Sequence, residues 1–117
     1  MKPIFNRRGW TIGWLYNGVI FDRNNRCRAF VRDGYVYTYA SHYIGVVQKG
    51  IFRDTRGQCI AYMDDASYDP MLPIPEITPV PPSPSAIPPT PFPPSPPKAP
   101  PPLSYWSPLH WDTYLDG

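Results

Sequence analysis

The side chains with chemical reach in this 117-residue chain are few and scattered. Its two histidines, His42 and His110, stand far apart, and neither has a serine or cysteine nucleophile signature beside it. Asp22 and Asp54, with Asn6, resemble a spread carboxylate set. Each falls just before a turn, however, where such side chains accept hydrogen bonds from backbone N–H groups two residues on. Cys27 and Cys59 are too few and too isolated for a disulfide framework or a zinc site. The "DDASYD" step from Asp64 to Asp69 lacks the alternating ligands and central glycine of a calcium loop, and reads as a solvated connector. The expectation is a protein without catalytic residues, metal or cofactor.

Charge narrows the partners. Up to Ala66 the chain carries ten Lys and Arg against five Asp and Glu, whereas the remainder has Lys98 against four acids. Arg7, Arg8, Arg23 and Arg56 lie at turn positions, where a symmetric fold would gather them into a basic rim able to meet phosphates. Solvated turn tips account for them equally well, and so modest an excess argues against nucleic acid as the partner. No run is apolar for long enough to span a bilayer, and the opening "MKPIFNRRGW" has no signal-peptide core. A cytoplasmic chain is the default expectation, with an extracellular filament left open.

The elements that position these residues come from a repeat. Residues 12–33 align without gaps on residues 44–65 with seven identities, and the offset halves, giving four sixteen-residue copies from Pro3 to Ala66. They read "PIFNRRGWTIGWLYNG", "VIFDRNNRCRAFVRDG", "YVYTYASHYIGVVQKG" and "IFRDTRGQCIAYMDDA". Copies meet at Asn-Gly, Asp-Gly and Lys-Gly steps, which suit two-residue hairpin turns. Each copy is therefore a pair of short antiparallel strands around an inner turn. The second position is always apolar (Ile4, Ile20, Val36, Phe52), and the eleventh is always tiny: Gly13, Ala29, Gly45, Ala61. The tiny residues are expected where copies approach most closely. By simple alternation, positions nine, eleven and thirteen share the core face, which places both cysteines there as small buried hydrophobes. The fold class is all-β: four hairpins in a pseudo-four-fold arrangement, with a continuous eight-stranded meander closing as a small barrel as the alternative.

The same alternation turns Phe5, Phe21 and Tyr37 (third position) and Trp14, Phe30 and Tyr62 (twelfth) away from the core. So many outward aromatics predict a contact surface that some partner covers.

Beyond this 1–68 domain, residues 69–102 hold 17 prolines and read as polyproline II, with three residues per turn. Sorted by that period, one row collects Ile74, Ile77, Val80 and Phe92, an apolar strip able to dock. Residues 103–117 follow as an aromatic docking segment. Ser107-Pro108 suits a helix start, and Trp111, Tyr114 and Leu115 then share one side, with Trp106 and Leu109 nearby.

These stretches resemble the four-fold β-flower proteins of bacteria. The resemblance rests on "PIFNRRG", "GWLYNGVIFDRNNRCRAFV", "GIFRDTRG" with "AYM" after it, the "PIPEI" entry to the proline tract and the closing "LSYWSPLHWDTYLDG". Thr38 departs from the Asp or Asn of the other copies, and the proline tract is irregular. The resemblance implies a fold and no activity. Two functional expectations follow from the architecture. One is a structural protein that self-assembles, its subunits linked through the proline tract and aromatic end into an oligomer or filament. The other is an interaction module whose tail recruits a different protein.

Overall fold

A computed structural model describes residues 2–66, 89–91, 95, 97–103 and 105–117. The expected apolar strip at Ile74, Ile77, Val80 and Phe92 lies outside the described residues.

Eight strands follow one another around a closed barrel: β1 (Lys2–Phe5), β2 (Thr11–Tyr16), β3 (Val19–Asp22), β4 (Cys27–Arg32), β5 (Tyr35–Thr38), β6 (Tyr43–Gln48), β7 (Ile51–Arg53) and β8 (Cys59–Met63). A six-residue helix, α1 (Trp111–Asp116), comes near the end of the chain. Each strand pairs antiparallel with its sequence neighbours, and β8 returns to β1 through Ile4↔Met63 and Phe5↔Tyr62. The four hairpins are thus joined into one ring, so the meander and the four-fold arrangement are the same object.

Two kinds of turn make the ring. Between copies, both central residues of each turn have positive φ: 51° and 74° at Asn17-Gly18, 53° and 82° at Asp33-Gly34, 52° and 79° at Lys49-Gly50. Such turns carry the right-handed twist of the strands they join, which is why Gly recurs there. Each turn glycine's carbonyl then accepts from the next copy: Val31 N–H to Gly18 (2.7 Å), Val47 to Gly34 (2.7 Å) and Met63 to Gly50 (2.8 Å). Within copies, the fourth-position side chain organises a longer turn. Asn6 Oδ1 accepts from Arg8 and Trp10 N–H, Asp22 Oδ1 from Asn24 and Arg26, and Asp54 Oδ1 from Arg56 and Gln58, all at 2.9–3.0 Å. Thr38 performs part of this role with its hydroxyl, which accepts from His42 N–H at 3.2 Å. All within-copy turns lie at one end of the barrel and all between-copy turns at the other, as the up-and-down order requires.

Every within-copy hairpin shifts register at the same place: between Ile4 and Phe5, Ile20 and Phe21, Val36 and Tyr37, Phe52 and Arg53. Two residues of the second strand oppose one step of the first, a β-bulge. The bulge corrects the expected face assignment. Position nine crosses to the outer face, where Cys59 packs with Phe5, Ile51, Tyr62 and Trp106, and position ten joins the inner one. The interior is a single cluster drawn from all four copies: Ile4, Ile20, Val36 and Phe52 from the second position, Ala29 and Ala61 from the eleventh, Met63 with Leu15, Val31 and Val47 from the thirteenth, and Ile44 and Ile60 from the tenth. Neither Cys27 nor Cys59 is in a disulfide.

The second correction concerns the outer aromatics. Phe5, Trp14, Phe21, Phe30, Tyr37 and Tyr62 are all buried, none more than 6 % exposed, so they offer no open patch to a partner. They cover one another and are covered by the chain itself: Phe5 packs on Tyr62, Phe30 stacks on Tyr37 with Tyr39 edge-on, and Trp106 closes over Tyr62. Alternation alone identifies which face a residue takes. It does not say whether later chain returns to cover that face.

At the eleventh position the backbones converge. A Cβ at Gly13 would stand 2.4 Å from the Phe21 carbonyl oxygen, and one at Gly45 would stand 1.9 Å from that of Arg53. Both neighbours are backbone and belong to the next copy, so neither can swing aside. Gly45→Ala is expected to cost at least the top of the usual overpacking range, about 3 kcal/mol, which corresponds to a Tm lower by about 12 °C or more. Gly18→Ala, whose Cβ would meet only the Val31 carbonyl at 3.4 Å, should cost about 1 kcal/mol for its left-handed backbone. Thermal melts of the two variants followed by circular dichroism check the order; equal losses would contradict convergence at Gly45.

Candidate functional site

The barrel end that carries the within-copy turns is stopped by the C-terminal segment of the same chain. Trp111, Tyr114 and Leu115 fall on one side of α1 and enter the interior cluster. The Trp111 ring meets Phe52 edge-on at 5.5 Å and stacks on Tyr114 at 5.5 Å. A Cβ at Gly13 would come within 3.6 Å of Trp111 Nε1, and one at Gly45 within 2.7 Å of the Tyr114 hydroxyl. Two of the tiny positions therefore admit the helix as well as the neighbouring strand. Tyr114 is buried and its hydroxyl donates to the Arg53 carbonyl at 3.0 Å. Burial, with the nearby Asp54 and Tyr43, pushes its pKa well above the usual phenol value, so it stays a donor.

The helix begins later than the sequence predicts. His110 takes the N-cap position without a side-chain hydrogen bond, while Ser107 Oγ accepts from Leu109 N–H at 3.2 Å in a turn ahead of it. Ser107 is instead occupied on the barrel, where its N–H donates to the Cys59 carbonyl at 2.7 Å. Cys59 N–H donates to the Tyr105 carbonyl at 3.0 Å, so Trp106 forms a short parallel bridge beside β8. Leu103 N–H reaches the Gly57 carbonyl at 3.0 Å, and further back Arg32 donates to the Thr90 hydroxyl at 2.8 Å.

Two arginines outside the basic turn set hold this segment. Arg53 stands at the third position, where the other copies have Phe5, Phe21 and Tyr37. It is buried, and its Nη1 donates to the carbonyls of Gly57 (2.8 Å) and Leu103 (2.7 Å). Arg28 stands at the tenth position, where the other copies have Ile12, Ile44 and Ile60. It binds Asp22 at 3.2 Å and pairs with Asp112 and Asp116 of α1. The available signal was a charged residue breaking an otherwise apolar column of the repeat.

Asp22 links the turn, Arg28 and the helix. Burial pushes its carboxyl up, but hydrogen bonds from Arg26 and Asn24 N–H and from the Arg28 guanidinium outweigh it, so the pKa is lowered below 3.8. A lowered folded-state value stabilises the fold above the unfolded pKa, and that contribution is lost as pH falls through the folded one.

Beside the plug lies an open cleft of about 1270 Å³. Arg7, Arg8, Trp10, Arg23 and Trp106 line its rim, and Arg28, Trp111, Asp112 and Asp116 line its wall. Of the expected basic rim, Arg7, Arg8 and Arg23 meet here, whereas Arg56 lines a separate hollow with Tyr43, Leu109 and Tyr114. Among the described residues, no group of three or more His, Cys, Asp or Glu is placed to hold a metal ion. Among the described residues, no helix is long and apolar enough to cross a membrane.

Two tests probe the plug. Trp111→Ala should cost about 3–5 kcal/mol, and Tyr114→Phe about 1 kcal/mol for one buried hydrogen bond, measured by urea unfolding. In the second, wild-type stability should drop as pH falls below about 4, with a shallower drop in Asp22→Asn. Parallel acid profiles would remove Asp22 from the account.

No curated protein and no solved structure matches the chain. The family described as 4-fold beta flower protein matches residues 2–115, which takes in the barrel, the proline tract and nearly all of α1. A four-copy all-β ring closed by its own short C-terminal helix, with a family match along almost its entire length, belongs to the 4-fold beta flower proteins.

Proposed function

We propose that this chain is a non-enzymatic structural protein whose C-terminal segment is an exchangeable plug, able to link subunits by closing a neighbour's barrel as it closes its own. One observation carries the reading. Leu103 and residues 105–117 sit on the barrel as a peptide ligand sits on a receptor, through backbone hydrogen bonds, a buried arginine and three buried apolar side chains. A surface that accepts this segment from its own chain accepts the identical segment from another. Thirty residues separate Ala66 from Pro97, and a proline-rich tether of that length reaches about 90 Å when extended. The described residues extend 35 Å at their longest. The tether is thus long enough for closure in either mode.

The burial of the outer aromatics removes the other route to assembly, in which barrels adhere through an exposed aromatic face. Recruitment of a different protein by the proline tract remains the second class of function, and it leaves the plug in place.

Full-length protein should show oligomers whose share grows with concentration, and more of them after refolding from denaturant at high concentration, by size-exclusion chromatography with light scattering. Trp111→Ala should remove them. Monomers at every concentration, before and after refolding, would reject plug exchange and direct attention to a separate partner.

A further inference from the structure

The cleft beside the plug combines charge and flat apolar surface. Its rim comes from the inner turns of the first two copies. Arg7, Arg8 and Arg23 are exposed there, and among the described residues none of the three pairs with a carboxylate. By contrast, the arginines below them are spoken for, Arg26 by Asp22, and Arg28 by Asp22, Asp112 and Asp116. Two of the free guanidinium groups lie over indoles: Arg7 over Trp106 at 5.9 Å, and Arg8 over Trp10 at 5.5 Å. Trp10 is 51 % exposed, an unusual position for a side chain of that size. The Asn6 turn fixes both members of the second pair, since its carboxamide accepts from the N–H groups of Arg8 and Trp10.

A guanidinium within cation–π distance of an indole keeps N–H groups free for an oxyanion, and an indole as exposed as Trp10 has surface left for stacking. We propose that this rim binds single-stranded nucleic acid, with Arg7, Arg8 and Arg23 meeting successive phosphates and a base stacking on Trp10. Alternating cations and flat rings match a chain that alternates phosphates and bases. An acidic peptide would use the charges and leave the exposed indole unexplained. The modest net charge of the whole chain does not bear on this, because the relevant charges are local and uncompensated.

The test is fluorescence anisotropy of full-length protein with a fluorescein-labelled ten-nucleotide oligo-dT. Three phosphate contacts predict a loss of affinity of about twenty-fold between 50 and 200 mM salt. The double variant Arg8→Gln, Arg23→Gln should weaken binding at least ten-fold, and Trp10→Ala at least five-fold. Both change exposed side chains, so circular dichroism should remain that of the wild type. Lys49→Gln, at the opposite end of the barrel, should leave binding unchanged. No binding at 50 mM salt overturns the proposal. So does equal weakening by Lys49→Gln, or displacement of the oligonucleotide by poly-glutamate as readily as by unlabelled oligo-dT. None of these outcomes depends on the oligomeric state, so the test stands apart from that of plug exchange.

Discussion

Where Gly13 and Gly45 line the barrel, neighbouring backbones close to distances that a side chain would forbid, and with Ala29 and Ala61 at the equivalent positions one layer of the interior is left almost without side chains of its own. An eight-stranded barrel is just wide enough for inward side chains to fill it. A nearly empty layer must therefore be filled from elsewhere or left as a cavity, at considerable cost. Trp111, Tyr114 and Leu115 fill it. The six-residue helix is too short to persist alone, and the barrel end lacks a core without it, so each stabilises the other. The domain boundary at residue 68 inferred from composition separates chain segments that share one core.

Four-fold repetition and a single plug are in conflict, because one asymmetric helix cannot satisfy four identical sites. The chain resolves this by breaking the repeat where the C-terminal segment lands. Arg28 replaces an isoleucine column and faces the acids of α1; Arg53 replaces an aromatic column and takes the Leu103 carbonyl. A charge at either site would be costly to bury unpaired. Asp22 answers the first and backbone carbonyls the second, so the substitutions select one docking position among four equivalents. Specificity here comes from polar groups whose partners are shared between barrel and plug: Arg28 between Asp22 and the acids of α1, and Arg53 between the Gly57 and Leu103 carbonyls.

Much of this was legible in the sequence because it is written in local rules. The copy boundaries follow from turns that need positive φ, the Asx turns from Asn6, Asp22 and Asp54, and the packed columns from residues recurring every sixteen. The bulge was not legible, since it inserts a residue without altering the repeat length; extrapolating strict alternation through it sent Cys27 and Cys59 to the wrong face. The burial of Tyr62 was also hidden, because it depends on Trp106, distant in sequence. Arg28 and Arg53 carried a readable signal as exceptions within regular columns. It is visible only when a repeat is read for its departures as closely as for its agreements.

The tether sets how the plug would be shared. A segment joined to its own receptor by a flexible or semi-rigid linker competes for it at an effective concentration of about millimolar. A free second copy at micromolar concentration is outcompeted roughly a thousand-fold on that ground, so closure within one chain is the resting state at ordinary concentrations. Under the proposed exchange, linking subunits would require crowding, a nucleating surface, or a first closure made while chains are still folding. Stiffness moves the balance, because proline-rich chain resists the bend that returns it to its own barrel and extends freely toward another. On this reading the proline tract is a control on assembly as well as a spacer: its length permits both closures, and its stiffness sets how strongly the chain prefers itself.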